Sequence, residues 1–206
     1  MLSYTKIALG TAQFGLDYGI ANESGIVQNS DVIKILAKAR ACGIDTLDTA
    51  VSYGSCESVL GAAGVSSFKV VSKLPRIPHD TKDVVGWVML VVSQALDRLG
   101  LESLYGLLLH NPEDLSGSYG RELFSALRSL KNSGLVKKIG VSIYDPGSLY
   151  EHTRLMDLDL VQVPFNVLDR RILASGWLEK LHQDGVEVHC RSIFLQGLLL
   201  MPRSKI

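Results

Sequence analysis

Short apolar runs alternate along the chain with longer stretches whose apolar residues recur every three to four positions. The first run is KIALGTA (6–12). In NSDVIKILAKARACG, Ile33, Leu36, Ala37 and Ala41 form one helical stripe; Ser30 is placed to cap it and Gly43 to end it. Residues 44–49 read as a second strand, CESVLGAAG as a short helix and 69–73 as a third strand. The next helix carries Val88, Val91, Val92, Ala95, Leu96 and Leu99 on one face and ends at Gly100. A fourth strand at 105–110 precedes the helix GRELFSALRSLKNSG. The strand VKKIGVS, a helix around DPGSLYEHTRLM, the strand DLVQVPF, a helix around SGWLEKLHQDG and the strand VEVHCRS complete the alternation. The last stretch, IFLQGLLLMPRSKI, reads as a loop.

Strand–helix alternation over the whole length predicts a parallel sheet. A doubly wound sheet and a (β/α)8 barrel both satisfy it. The first strand ends in LGTAQFG, which lacks the GxGxxG turn of a dinucleotide-binding open sheet. Polar residues stand at the C-terminal ends of several different strands, where barrel enzymes gather their chemistry. The sequence therefore predicts an α/β chain forming a (β/α)8 TIM-type barrel, as one domain over residues 1–206. Seven strands are legible and a typical barrel runs to about 250 residues, so the barrel is expected to stop after strand 7 with its eighth β/α unit missing.

Composition narrows the partners. The 206 residues are 47% hydrophobic and 20% charged, enough for one sizeable core. Lys plus Arg equals Asp plus Glu at 21 each, and no basic run exceeds two residues, which argues against nucleic acid. MLSYTKIALG has no charged segment leading into an apolar one, so no signal peptide is expected, and no apolar run is long enough to span a membrane. Cys42, Cys56 and Cys190 are scattered without a CxxC pair, which fits reduced thiols in the cytoplasm and no metal site.

The candidate chemistry is a set of four ionisable side chains. In 44–49, Thr46 and Asp48 share one face, and Asp48 at the C-terminal end points into the barrel mouth, whereas Asp45 at the other end reads as a solvated acid. Tyr53 follows on the loop above the same strand. Lys73 ends a strand whose Val70 and Val71 are apolar, an unusual position for an unpaired lysine. His110 follows Leu107, Leu108 and Leu109. Each has a bland reading: a loop-bracing carboxylate, a packed tyrosine, a rim lysine, a satisfied core histidine. Their convergence on one rim favours shared chemistry. A phenol has an ordinary pKa of about 10, and a nearby ammonium is expected to lower it. With a carboxylate to hold the lysine and an imidazole to bind a substrate oxygen, the set suits protonation of a carbonyl while a redox cofactor delivers hydride.

The segment DTAVSYGSCESVLG resembles the DTA-x-x-YG-x-x-E-x-x-LG block of the aldo-keto reductases, and the order Asp48, Tyr53, Lys73, His110 is the same. The resemblance extends through KKIGVS with Ser142 and VQVPFN with Gln162, over nearly the whole chain. It implies an NADPH-dependent oxidoreductase that reduces an aldehyde or ketone, a small-molecule carbonyl substrate. Tyr53 would be the general acid, Lys73 would tune it, Asp48 would pair with Lys73 and His110 would orient the carbonyl. Ser142 and Gln162 would hold the nicotinamide carboxamide. Ile143 stands where the family often has Asn, and HCRSIF stands where many members stack a Tyr, so Arg191 takes that stacking role. The family's eighth strand and its adenosine-phosphate helix are absent after LQGLLLMP. A fragment or shortened product is therefore expected, with weakened cofactor binding and with self-association through open barrel edges. Two other readings stay open: a Schiff-base lyase using Lys73, and a non-catalytic binding or regulatory barrel. Gln13, Phe14 and Tyr18 are expected to line the site, with polar groups from HNPEDLSGSYG.

Overall fold

In the computed structural model, which describes residues 6–205, seven parallel strands form one sheet. The start of the MLSYTKIALG stretch, residues 1–5, and Ile206 lie outside the described residues. The strands are β1 (Ala8–Gly10), β2 (Thr46–Asp48), β3 (Lys69–Leu74), β4 (Leu104–Leu109), β5 (Val136–Ser142), β6 (Leu160–Pro164) and β7 (Glu187–Arg191). They pair in sequence order, β1 through β7. Between them run α1 (Asn29–Ala41), α2 (Cys56–Ala63), α3 (Val84–Leu99), α4 (Gly120–Asn132), α5 (Leu149–Leu155), α6 (Arg171–Ala174) and α7 (Trp177–Gln183). The closing loop holds two 3-10 turns, Leu198–Leu200 and Arg203–Lys205.

The sheet curls. Gln162 of β6 donates to Asp48 of β2 at 2.7 Å. Four strand steps in a flat sheet would set these strands about 19 Å apart. Tyr105 of β4 likewise reaches Glu187 of β7 at 2.7 Å. The arrangement is that of a (β/α)8 barrel through its seventh strand, with the strand C-terminal ends forming one mouth.

Two apolar layers result. Outward-facing residues such as Val70, Leu107, Ile139, Val141 and Val161 pack under the helices in the main core. Inside the barrel, Val71, Leu108 and Leu160 form a separate plug below the polar mouth. Gly140 lets β5 and β6 approach, since a Cβ there would sit 1.6 Å from the Leu160 carbonyl oxygen.

The helices follow the apolar periodicity, with one shift. α3 is capped by Asp83, whose side chain accepts from Gly86 N, and ends at Gly100 in the left-handed region. In α1 the cap position is Gln28, without a side-chain bond, and Ser30 lies inside the helix. Its buried residues are Val32, Leu36 and Ala39, while Ile33 is exposed. Of the expected stripe only Leu36 is buried; Ala37 and Ala41 are exposed with Ile33, and the inward face is Val32, Leu36 and Ala39 at i, i+4, i+7, because Val32 rather than Ile33 faces the barrel wall.

Candidate active site

β2, β3, β5, β6 and β7 each deliver a polar side chain to the mouth, and the register sets which ones. Asp48 pairs with Val71 across β2–β3, Lys73 with Leu108 across β3–β4, Ser142 with Gln162 across β5–β6 and Pro164 with Arg191 across β6–β7. His110 stands one residue past the end of β4. Tyr53 comes from the turn before α2. That turn is pinned by two glycines: a Cβ on Gly15 would meet the Tyr53 carbonyl oxygen at 2.1 Å, and one on Gly54 would meet the Gly15 oxygen at 2.4 Å. Gly54 also has φ of +57°, so the glycine after Tyr53 is required twice over.

The six residues from Asp48 to Gln162 converge. Lys73 is 1% exposed. Its Nζ donates to Asp48 Oδ1 at 2.7 Å and to the Thr49 carbonyl at 2.8 Å, and lies 5.1 Å over the Tyr53 ring. Asp48 Oδ1 also accepts from Gln162 Nε2, and Gln162 Oε1 accepts from Ser142 Oγ at 3.2 Å. The Tyr53 and His110 rings meet edge-on with centroids 6.0 Å apart. Among the described residues neither the Tyr53 hydroxyl nor the His110 ring has a hydrogen-bond partner, so both face the cavity ready for a ligand.

Burial, then the charge of Asp48, pushes the Tyr53 phenol well above its ordinary value; Arg191 is the cation that opposes this. The direction is opposite to the lowering expected from Lys73. The physical reason is first that burial disfavours the phenolate, and then that Asp48 repels it while also neutralising the Lys73 ammonium. Burial, opposed by Asp48, holds Lys73 below the usual lysine value. Burial and then the Lys73 charge lower His110, so its ring is neutral near pH 7. Phenol and imidazole are thus both neutral and both able to donate.

These groups face a cavity of about 550 Å³ walled by Asp48, Tyr53, His110, Ser142, Gln162 and Arg191, with Gln13 and Tyr18 from the loop after β1 and Phe194 and Gln196 from the loop after β7. The loops touch, Ala21 N donating to the Gln196 carbonyl. Lys73 is not on the wall. Phe14, expected there, is buried in the main core. The HNPEDLSGSYG loop lines a smaller neighbouring hollow of about 190 Å³ through Asn111 and Glu113. Arg191 meets a partner that sequence reasoning missed: its guanidinium stacks 4.2 Å from the Tyr144 ring centroid and its Nη2 donates to the Ile143 carbonyl at 3.0 Å. The Thr49 carbonyl and the Gln162–Asp48 bond were missed too; only the cross-barrel curvature reveals them. Among the described residues no group of three or more His, Cys, Asp or Glu is placed to hold a metal ion, and no helix is long and apolar enough to cross a membrane.

A family model described as the aldo/keto reductase family matches residues 6–204. The NADH-specific methylglyoxal reductase of Escherichia coli (strain K12) is 25% identical over 228 residues, covering 96% of this chain and 66% of that protein. The D-threo-aldose 1-dehydrogenase of a Pseudomonas species is 27% identical over 235 residues, covering 96% and 71%. The chain thus spans about two thirds of the length of these curated relatives. The holo form of an aldo-keto reductase from Bacillus halodurans superposes with a TM-score of 0.74 at 21% identity, over 96% of this chain and 66% of that one, a likeness of fold.

Proposed function

The chain belongs to the aldo/keto reductase family, and from that premise we propose that it reduces an aldehyde or ketone to an alcohol with a nicotinamide dinucleotide. The observation that carries this reading is the pair Tyr53 and His110. Both are unbonded to any described residue and both face one cavity, and the phenol is held protonated.

Reduction adds a hydride to the carbonyl carbon and a proton to its oxygen. A reduced nicotinamide, when bound, supplies the hydride. Tyr53 gives the proton to the oxygen, and the neutral His110 ring donates a hydrogen bond that holds that oxygen in place. Lys73, itself off the cavity wall, keeps Asp48 and the Tyr53 ring in position. The buried Ser142 and Gln162 fit a carboxamide: with one Gln162 N–H and its oxygen already engaged, the second N–H and the Ser142 oxygen are left for it. NADPH is the proposed cofactor. The E. coli relative's name makes NADH the alternative, and titrating each separates them. A Schiff-base role for Lys73 gains no support from an amine 1% exposed and bonded to Asp48 and Thr49.

The remaining parts of the reading are a single domain, a cytoplasmic location suggested by three free thiols, and self-association through the outer edges of β1 and β7, which pair with no strand among the described residues. Sedimentation checks the last.

The test is nucleotide oxidation by the purified chain with methylglyoxal and a simple aldose. Turnover is expected, falling roughly 10²–10⁴-fold in Tyr53→Phe with nucleotide affinity retained. An unchanged rate in Tyr53→Phe would remove the proposed acid, and absence of turnover in the wild-type chain would favour a non-catalytic barrel.

A further inference from the structure

Charge on the cavity wall is unbalanced. Among the described residues the wall carries one carboxylate, Asp48, and Lys73 neutralises it from behind at 2.7 Å. The other charged side chain of the wall is Arg191, which forms no ion pair with any described residue. Its Nη2 is bonded to the Ile143 carbonyl, its Nη1 reaches only the Ser192 hydroxyl at 3.5 Å, and its Nε has no bond. The carboxylates of neighbouring loops are committed elsewhere: Asp169 is bonded to Arg171 at 2.8 Å, and Asp145 accepts from Gly147 N at 3.1 Å.

The guanidinium is nonetheless fixed. The Tyr144 ring covers one face and the Ile143 carbonyl holds one edge, so most of its orientational freedom is already lost. A half-buried, immobilised cation with unused N–H donors and no bonded carboxylate among the described residues, Asp169 feeling its charge only at a distance, is a site for an anion. A planar carboxylate is the chemistry that a guanidinium edge matches. Arg191 shares the cavity with Tyr53 and His110.

We propose that Arg191 binds a carboxylate of the substrate while Tyr53 and His110 engage its carbonyl oxygen, so that the cavity selects oxo acids over neutral aldehydes. This rests on the reductase reading for the carbonyl end, but not for the carboxylate end. Two attachment points fix the orientation of the carbonyl, which a single hydrogen-bonded oxygen does not.

The test is equilibrium binding of two nearly isosteric probes, 4-carboxybenzaldehyde and 4-formylbenzamide, by calorimetry without nucleotide. The wild-type chain should bind the carboxylate about tenfold or more tightly than the carboxamide. Arg191→Gln should abolish the preference, most of the lost affinity falling on the carboxylate probe. Arg191→Lys, which keeps the charge and loses the planar fork, should retain part of it. Equal affinities in the wild-type chain, or a preference that survives in Arg191→Gln, overturn the proposal. So does an Arg191→Gln effect confined to nucleotide affinity, which would place the anion on the cofactor. Absence of nucleotide-dependent reduction with the carboxylate preference intact would sink the reductase reading and leave this site standing.

Discussion

Lys73 Nζ lies 2.7 Å from Asp48 Oδ1, and the lysine is 1% exposed while the aspartate side chain keeps 18%. The pair is therefore asymmetric: the lysine depends on the aspartate for its charge, but the aspartate also has Gln162 and the cavity. Asp48→Asn should leave a buried ammonium without its counter-charge and cost about 3–5 kcal/mol in urea unfolding. Asp48→Asn combined with Lys73→Met should recover a good part of that loss, since the uncompensated charge is gone. A double variant no more stable than Asp48→Asn would show that the bond to Thr49 suffices for the lysine.

The same aspartate governs the alkaline limb of activity. The proton donor is the neutral phenol, and burial with the Asp48 charge raises the Tyr53 pKa. Reduction should persist through the ordinary tyrosine range near about pH 10 and fall only above it. Removing the negative charge in Asp48→Asn should bring that fall to lower pH. Profiles of kcat/KM against pH for the two proteins decide this. An alkaline limb that does not move would mean that the phenol is not the titrating group.

The sequence was informative where chemistry and secondary structure coincide. Asp48, Lys73 and His110 stand at or just past strand ends, so a period-two strand pattern was enough to place them on one rim. Tyr53 was legible from its place five residues after Asp48 and from the DTA-x-x-YG resemblance, whereas the Gly15–Gly54 approach that pins its turn was not. Long-range pairing was not legible. Gln162 is 114 residues from Asp48, and only closure of the sheet turns it toward the aspartate. Arg191 was read as a plane for stacking, but that the Tyr144 ring covers one of its two faces was not legible. Of the predicted α1 stripe only Leu36 is buried, because Val32 and Ile33 are both apolar and alanines stand on both faces, so only the wall chooses between them.

His152 of α5 is 2% exposed, and among the described residues neither ring nitrogen has a hydrogen-bond partner. Burial lowers its pKa, with the charges of Glu151 and Glu113 opposing. The unfolded chain therefore takes up this proton first, and stability attributable to His152 is lost as pH falls below about 6.5. His152→Leu should raise the unfolding free energy at neutral pH by about 1 kcal/mol and flatten its dependence just below that value. A lowered melting temperature in this variant would falsify the view that the imidazole is a cost rather than a contact.

Glu187 presents the opposite sign. It crosses the barrel from β7 to accept from Tyr105 of β4 at 2.7 Å and from Lys138 of β5, with His189 Nε2 at 2.6 Å. Burial pushes the carboxyl up, but these three hydrogen bonds win and pull it from an ordinary 4.5 to about 2. A depressed carboxyl contributes stability that is complete above its unfolded value and is lost as pH falls from 4.5 toward 2. Glu187→Gln should cost about 1–3 kcal/mol at neutral pH, since Lys138 loses its counter-charge, and should remove this acid-limb dependence. The window lies below that of His152, so unfolding curves over the two ranges separate the variants. If Glu187→Gln left the acid limb unchanged, the strands that β7 faces across the barrel would be held by the apolar plug of Val71, Leu108 and Leu160 rather than by this carboxylate.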